Sequence, residues 1–90
     1  MNFVDCQIDV SQSDLEKGVA NDCKRCPIAR ALLRQLPDLE SVEVDTNALW
    51  FHFGCIGKTA IRTPPGLAEK INEIDDDKPV KPFSFRLVIA

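Results

Sequence analysis

The stretch Val42-Glu-Val-Asp-Thr-Asn-Ala-Leu-Trp-Phe-His-Phe53 contains two short runs, Val42 to Asp45 and Ala48 to Phe53, separated by Thr46-Asn47. The runs are rich in β-branched and aromatic residues, and Asn tolerates the positive φ of a tight turn, so the spacing predicts a hairpin. Alternation places Trp50 and His52 on one face of the second strand, and Phe51 and Phe53 on the other. His52 therefore falls on the wetter face. Gly54 and Gly57 permit a further reversal into a strand near Lys58 to Arg62, which completes a three-strand meander.

Working back from the meander, Pro27 fits the first position of a helix, where its missing N–H costs nothing, and Cys26 becomes the N-cap. Ile28, Ala29, Leu32, Leu33 and Leu36 cover one arc of that helix, while Arg30 and Arg34 lie on the opposite side. Pro37-Asp38 stops it. Further back, Val4, Cys6, Ile8 and Val10 alternate against Asp5, Gln7 and Asp9, the pattern of a strand with one buried face. Ser11 and Asp14 have capping-box spacing for a helix of about two turns that ends at Gly18, with Val10 and Leu15 placed as a hydrophobic staple. Working forward, Thr63 is expected to cap a third helix with Pro64-Pro65 in its first turn and Leu67, Ile71 and Ile74 inward. That helix fails at Asp75-Asp-Asp77. Phe83, Phe85, Leu87 and Ile89 then alternate in a final strand, whose apolar end suggests a place inside the sheet.

The predicted fold is a single α+β domain over residues 1–90, in the order β-α-α-β-β-β-α-β. Its sheet is small, mixed or antiparallel, with the helices mainly on one face. The composition, 44% hydrophobic and 28% charged, is that of a globular chain. No apolar run approaches the ~20 residues of a spanning helix, and the first residues have no secretory pattern, so the expected compartment is the cytoplasm. In that reducing setting the four cysteines are expected to be thiols or metal ligands before disulfides.

Chemistry concentrates at Asn21-Asp-Cys-Lys-Arg-Cys-Pro27, a Cys-x-x-Cys pair at a helix start. Free N–H groups there, with Lys24 and Arg25, would lower a thiol pKa. One use of such a pair is thiol redox chemistry, although a thioredoxin-like setting would need a larger domain and a longer helix. A second is structural zinc, with Cys23, Cys26, His52 and Cys55 as ligands and Cys6 in reserve. The plainest reading is packed thiols beside a capped helix, with no cofactor. Gly54-Cys-Ile-Gly-Lys-Thr59 lacks the first glycine of a phosphate loop and leads into a strand rather than a helix. No hydrolase triad or acid/base pair is evident.

Lys24, Arg25, Arg30 and Arg34 form a basic stripe that solubilises the chain or contacts phosphate. Trp50, the sole tryptophan, either packs in the core or anchors a partner. The net charge of −3 argues against a surface given over wholly to nucleic acid. Three segments carry a resemblance: Ile8-Asp-Val-Ser-Gln-Ser-Asp-Leu-Glu-Lys-Gly18, Cys26-Pro-Ile-Ala-Arg-Ala-Leu32, and Thr63-Pro-Pro-Gly-Leu67 through Pro79-Val-Lys-Pro-Phe-Ser-Phe85. They resemble short proteins of unknown function encoded by bacteriophages and bacterial genomes. That resemblance implies an intracellular role in a phage or its host and names no substrate. The functional expectation is a non-enzymatic module that binds a macromolecular partner, a protein before a nucleic acid and not a membrane. A zinc-stabilised domain contacting nucleic acid through Arg30 and Arg34 is the alternative.

Overall fold

Apolar alternation at the start of the chain becomes strand β1 (Val4–Val10) in the computed structural model, which describes residues 4–54 and 56–89. Helix α1 (Gln12–Lys17) follows at once, because both halves of the capping box form. The Asp14 N–H donates to Ser11 Oγ at 3.2 Å, and the Ser11 N–H donates to Asp14 Oδ2 at 3.0 Å. Helix α2 (Pro27–Gln35) starts on the Cys26 cap, as its proline requires. Next come β2 (Leu39–Val44), β3 (Ala48–Phe53) and β4 (Gly57–Arg62), then α3 (Leu67–Asp75) and β5 (Phe83–Ile89). The order is the one read from the sequence.

The strands divide into two antiparallel sheets, β1-β5 and β2-β3-β4. Ile8 pairs with Phe85 and Cys6 with Leu87 in the first, and Trp50 stands between Glu43 and Ala60 in the second. Strand β5 was expected inside a sheet; among the described residues it pairs only with β1. Its apolar side chains are instead covered on one face, where Leu87 and Ile89 are buried. A register shift between Leu39 and Ser41 leaves Glu40 as an extra residue in β2, so this strand begins three residues earlier than the alternation suggests.

Helix α2 lies between the sheets and packs on β1, β2 and α1. Ile28, Ala29, Ala31 and Leu32 are fully buried as a result, because a helix covered on several sides keeps only a narrow wet arc, at Arg30, Leu33 and Arg34. Leu33, expected inward, is exposed, and Ala31 takes its place. One hydrophobic cluster joins Ile8, Leu32, Leu49, Phe51, Ile71 and Leu87 across these elements. Helix α3 begins differently from its expected start: Gly66, at φ 84°, is the N-cap, with no side-chain bond. Thr63 is engaged elsewhere, its hydroxyl donating to the Asp45 carbonyl at 2.6 Å and so closing the loop beside the β2-β3 turn.

Candidate functional site

The turn before α2 is held from three directions. The Asp22 carboxylate accepts from the N–H groups of Lys24 (3.0 Å) and Arg25 (3.2 Å). Asn21, in the left-handed region at φ 62°, donates its amide to Asp75 Oδ1 (2.9 Å) and its side-chain Nδ2 to the Asp75 carbonyl (3.1 Å). The Cys23 carbonyl accepts from Val44 N–H at 2.8 Å, which ties the turn to the edge of β2. This scaffold drives Cys26 inward to 6% exposure, where its Sγ accepts from Ala29 N–H at 3.4 Å.

The expectation of a readily ionised thiol fails at Cys26. Burial pushes its pKa up and outweighs the opposing hydrogen bonds from the Ala29 and Ile28 amides, while the Asp75 and Cys23 charges push the same way as burial. Helix N-terminal amides favour a thiolate only where water or a counter-charge still solvates it, and Lys24 is turned away to Glu43 (Nζ to Oε1 3.7 Å). Cys23 is exposed, and Cys6, Cys23 and Cys26 are all free thiols.

Among the described residues no group of three or more His, Cys, Asp or Glu side chains is placed to hold a metal. Cys55, the fourth candidate ligand, lies outside the described residues. His52 sits on the outer face of β3 with Nε2 3.8 Å from Glu40 Oε2. It pairs with Ser41, three residues along β2 from the Val44 that holds Cys23, a displacement of about 10 Å along the strand.

The basic stripe is largely committed to internal partners. Asp14, 2% exposed, accepts from Arg34 Nη2 at 2.7 Å and from the Ser11 hydroxyl at 3.0 Å. Burial alone would raise the Asp14 pKa; the Arg34 guanidinium and the Ser11 amide and hydroxyl overcome it and hold the carboxyl below its ordinary value. Arg34 also donates to the Asp9 carbonyl at 2.9 Å. Arg30 Nε lies 4.0 Å from Asp14 Oδ1, buried and without a hydrogen bond. Both arginines thus face the carboxylate of α1 and fasten the two helices together. Arg25 forms no ion pair among the described residues.

The outer face of β2-β3-β4 is one open part of the molecule; a second groove of about 580 Å³ lies between α1 and α3, lined by Leu15, Val19, Ile74 and Val80. Phe51 and Phe53 point inward, stacked at 5.7 Å between ring centroids, so Trp50 points out and is 55% exposed. It stands in a groove of about 610 Å³ whose lining includes Lys24, Ser41, Glu43, His52, Lys58 and Ala60. Glu43 and Ala60 are its direct cross-strand neighbours. On the β4 side, Ala60 offers the indole no more than a methyl group. Sequence reading brought out Trp50 and His52 but not Ser41, Glu43, Lys58 and Ala60; the signal for these was the same alternation carried across all three strands.

No family model, curated protein or solved structure matches the chain. No helix of the described residues is long and apolar enough to cross a membrane.

Proposed function

We propose that this chain is a non-enzymatic binding module of the cytoplasm that docks a protein partner on the outer face of β2-β3-β4, with Trp50 as the anchor. The observation that carries the reading is the 55% exposure of the sole tryptophan, on the wall of a groove. A large rigid ring with one polar atom, half out of water and rimmed by charged side chains, is the usual composition of an energetic centre in a protein interface. The rim carries both signs, with Lys24 beside Glu43 and with Lys58, and Glu40 lies 3.8 Å from the His52 ring. This suits a protein surface better than a phosphate backbone, which Glu40 and Glu43 would repel. The involvement of Arg30 and Arg34 with Asp14 points the same way, since bases already paired inside the fold are poor phosphate contacts.

The test is affinity capture from cells that express the protein, using the wild-type chain and Trp50→Ala side by side, with circular dichroism to show that both are folded. A partner retained by the wild type and lost with the alanine variant is the expected result. Equal recovery by both proteins overturns the assignment of Trp50 as anchor.

A further inference from the structure

The sheet that carries Trp50 has two edges, and one of them is tied at Val44 to the turn before α2 and packed against that helix. At the β2-β3 end, the Asp45 N–H donates to the Ala48 carbonyl at 3.1 Å. Bonded and unbonded pairs alternate in an antiparallel ladder, so the backbone groups of Val42 and Val44 face away from β3. The Val44 N–H is then satisfied by the Cys23 carbonyl. On the other side, the Thr63 N–H donates to the Asn47 carbonyl at 3.2 Å, one step beyond the Ala48–Arg62 pair. The same alternation makes Leu49–Ile61 and Phe51–Thr59 the bonded pairs and turns the backbone groups of Lys58, Ala60 and Arg62 outward. Among the described residues nothing pairs with them.

We infer that β4 accepts an extended segment of the protein partner as a fourth strand, and that this segment is acidic at two alternate positions flanking a large apolar residue. The inference rests on the proposed role of the Trp50 face and specifies the chemistry of what docks there. The side chains of Lys58, Ala60 and Arg62 lie on the same outer face as Trp50, and all three are exposed. Neither Lys58 nor Arg62 forms an ion pair among the described residues. A strand added to β4 therefore meets a cation, a gap above a methyl group, and a second cation at alternate positions.

A residue opposite Ala60 lies two strand spacings from β3, about 9.5 Å, within reach of a large apolar side chain and the Trp50 indole together. A second copy of this chain fits badly: antiparallel self-pairing centred on Ala60 would set Lys58 against Arg62 twice, and like charges directly opposite are unfavourable. An acidic-x-apolar-x-acidic segment turns both contacts into attractions.

The probe is the capped peptide Thr-Glu-Thr-Leu-Thr-Glu-Thr, titrated against the full chain with the fluorescence of the single tryptophan as readout. Saturable binding with a change in Trp50 emission is expected, about tenfold weaker for the peptide with Lys in place of both Glu residues. Lys58→Glu with Arg62→Glu should reverse that preference. In an antiparallel fourth strand, N-methylation at the peptide Leu should weaken binding about tenfold, since it removes a ladder hydrogen bond to Ala60, whereas N-methylation at the following Thr, whose N–H faces solvent, should not; the reverse pattern would mark parallel addition and overturn the antiparallel register. Ala60→Pro should have the effect of the first peptide, because it removes only an outward donor on an edge strand.

No binding of the Glu peptide at about 1 mM, equal binding of the Glu and Lys peptides, or indifference to both N-methylations overturns the inference. Those results leave Trp50-dependent capture standing. If Trp50→Ala leaves capture unchanged and binds the Glu peptide as tightly as wild type in titration calorimetry, which needs no tryptophan, the reading of the whole face fails with it.

Discussion

Replacing Gly18 with alanine is expected to destabilise the fold, although its backbone angles suit any residue. Gly18 is the C-cap of α1 at φ −69°, ψ 154°, so alanine meets no conformational penalty there. On unfolded-state entropy alone the change would stabilise by about 0.4–1 kcal/mol. The sign is reversed by α2. A Cβ on Gly18 would lie 2.6 Å from Pro27 Cδ and 2.7 Å from Pro27 Cα, with the Pro27 nitrogen closer still. These atoms belong to a proline ring and the helix backbone, so relief requires α1 to move as a body, and overpacking of this kind costs about 1–3 kcal/mol. For a chain of this size the thermal midpoint should fall by about 4–24 °C. Moving α1 also lengthens the 2.7 Å contact between Arg34 and Asp14, so the variant should lose part of its sensitivity to acid as well. Pro27→Ala should rescue it little, since two of the three close atoms remain. A calorimetric midpoint equal to or above that of wild type would refute the reasoning.

Asp14→Ala removes the acceptor for Ser11 and Arg34 and should cost about 1–2 kcal/mol in urea unfolding, at the lower end for hydrogen bonds to a charged group because the guanidinium is half-exposed. Because the folded-state pKa of Asp14 is depressed, its stabilisation is complete at neutral pH and is lost as pH falls below about 4. Asp14→Asn should therefore narrow the difference between urea midpoints at pH 7 and pH 3; an unchanged difference would count against the ion pair. Iodoacetamide in native buffer should label Cys23 and spare Cys26 until denaturant is added, and mass mapping that shows equal labelling would contradict the buried thiol cap. Trp50→Ala should alter stability by less than about 1 kcal/mol, since the ring is mostly outside the core; a larger loss in thermal unfolding would mark it as a packing residue.

Element order and most strand and helix limits were legible because each element carries its own local signal. Ser11 with Asp14, Cys26 with Pro27, and the Val42–Phe53 pattern all read correctly from neighbours within a few positions. What could not be read depends on distant chain. The exposure of Leu33 in place of Ala31 follows from α2 being covered by β1, β2 and α1 together, and no single-helix pattern encodes that. Arg30 and Arg34 look like a solvent-facing stripe until α1 presents a buried carboxylate to them. Thr63 has the composition of a cap but bonds across eighteen positions to Asp45, which moves the helix start to Gly66. The Cys26 thiol is the same lesson at the candidate site: its sequence neighbours favour ionisation, and the core that closes over it opposes it.

Strands β1 and β5 are the first and last elements of the described chain, yet Val4 sits opposite Ile89. The meander and α2, by contrast, occupy one continuous run from Pro27 to Arg62. Loop-closure entropy therefore predicts a time order in folding, with the contiguous run condensing first and the β1-β5 ribbon closing last, after most of the chain has been ordered. Until that closure, Ile8, Val10, Leu87 and Ile89 have no cover, and the apolar faces they complete stay open to water. The ribbon thus acts as the clasp of the domain, and the interval before it shuts is when aggregation competes most strongly with folding.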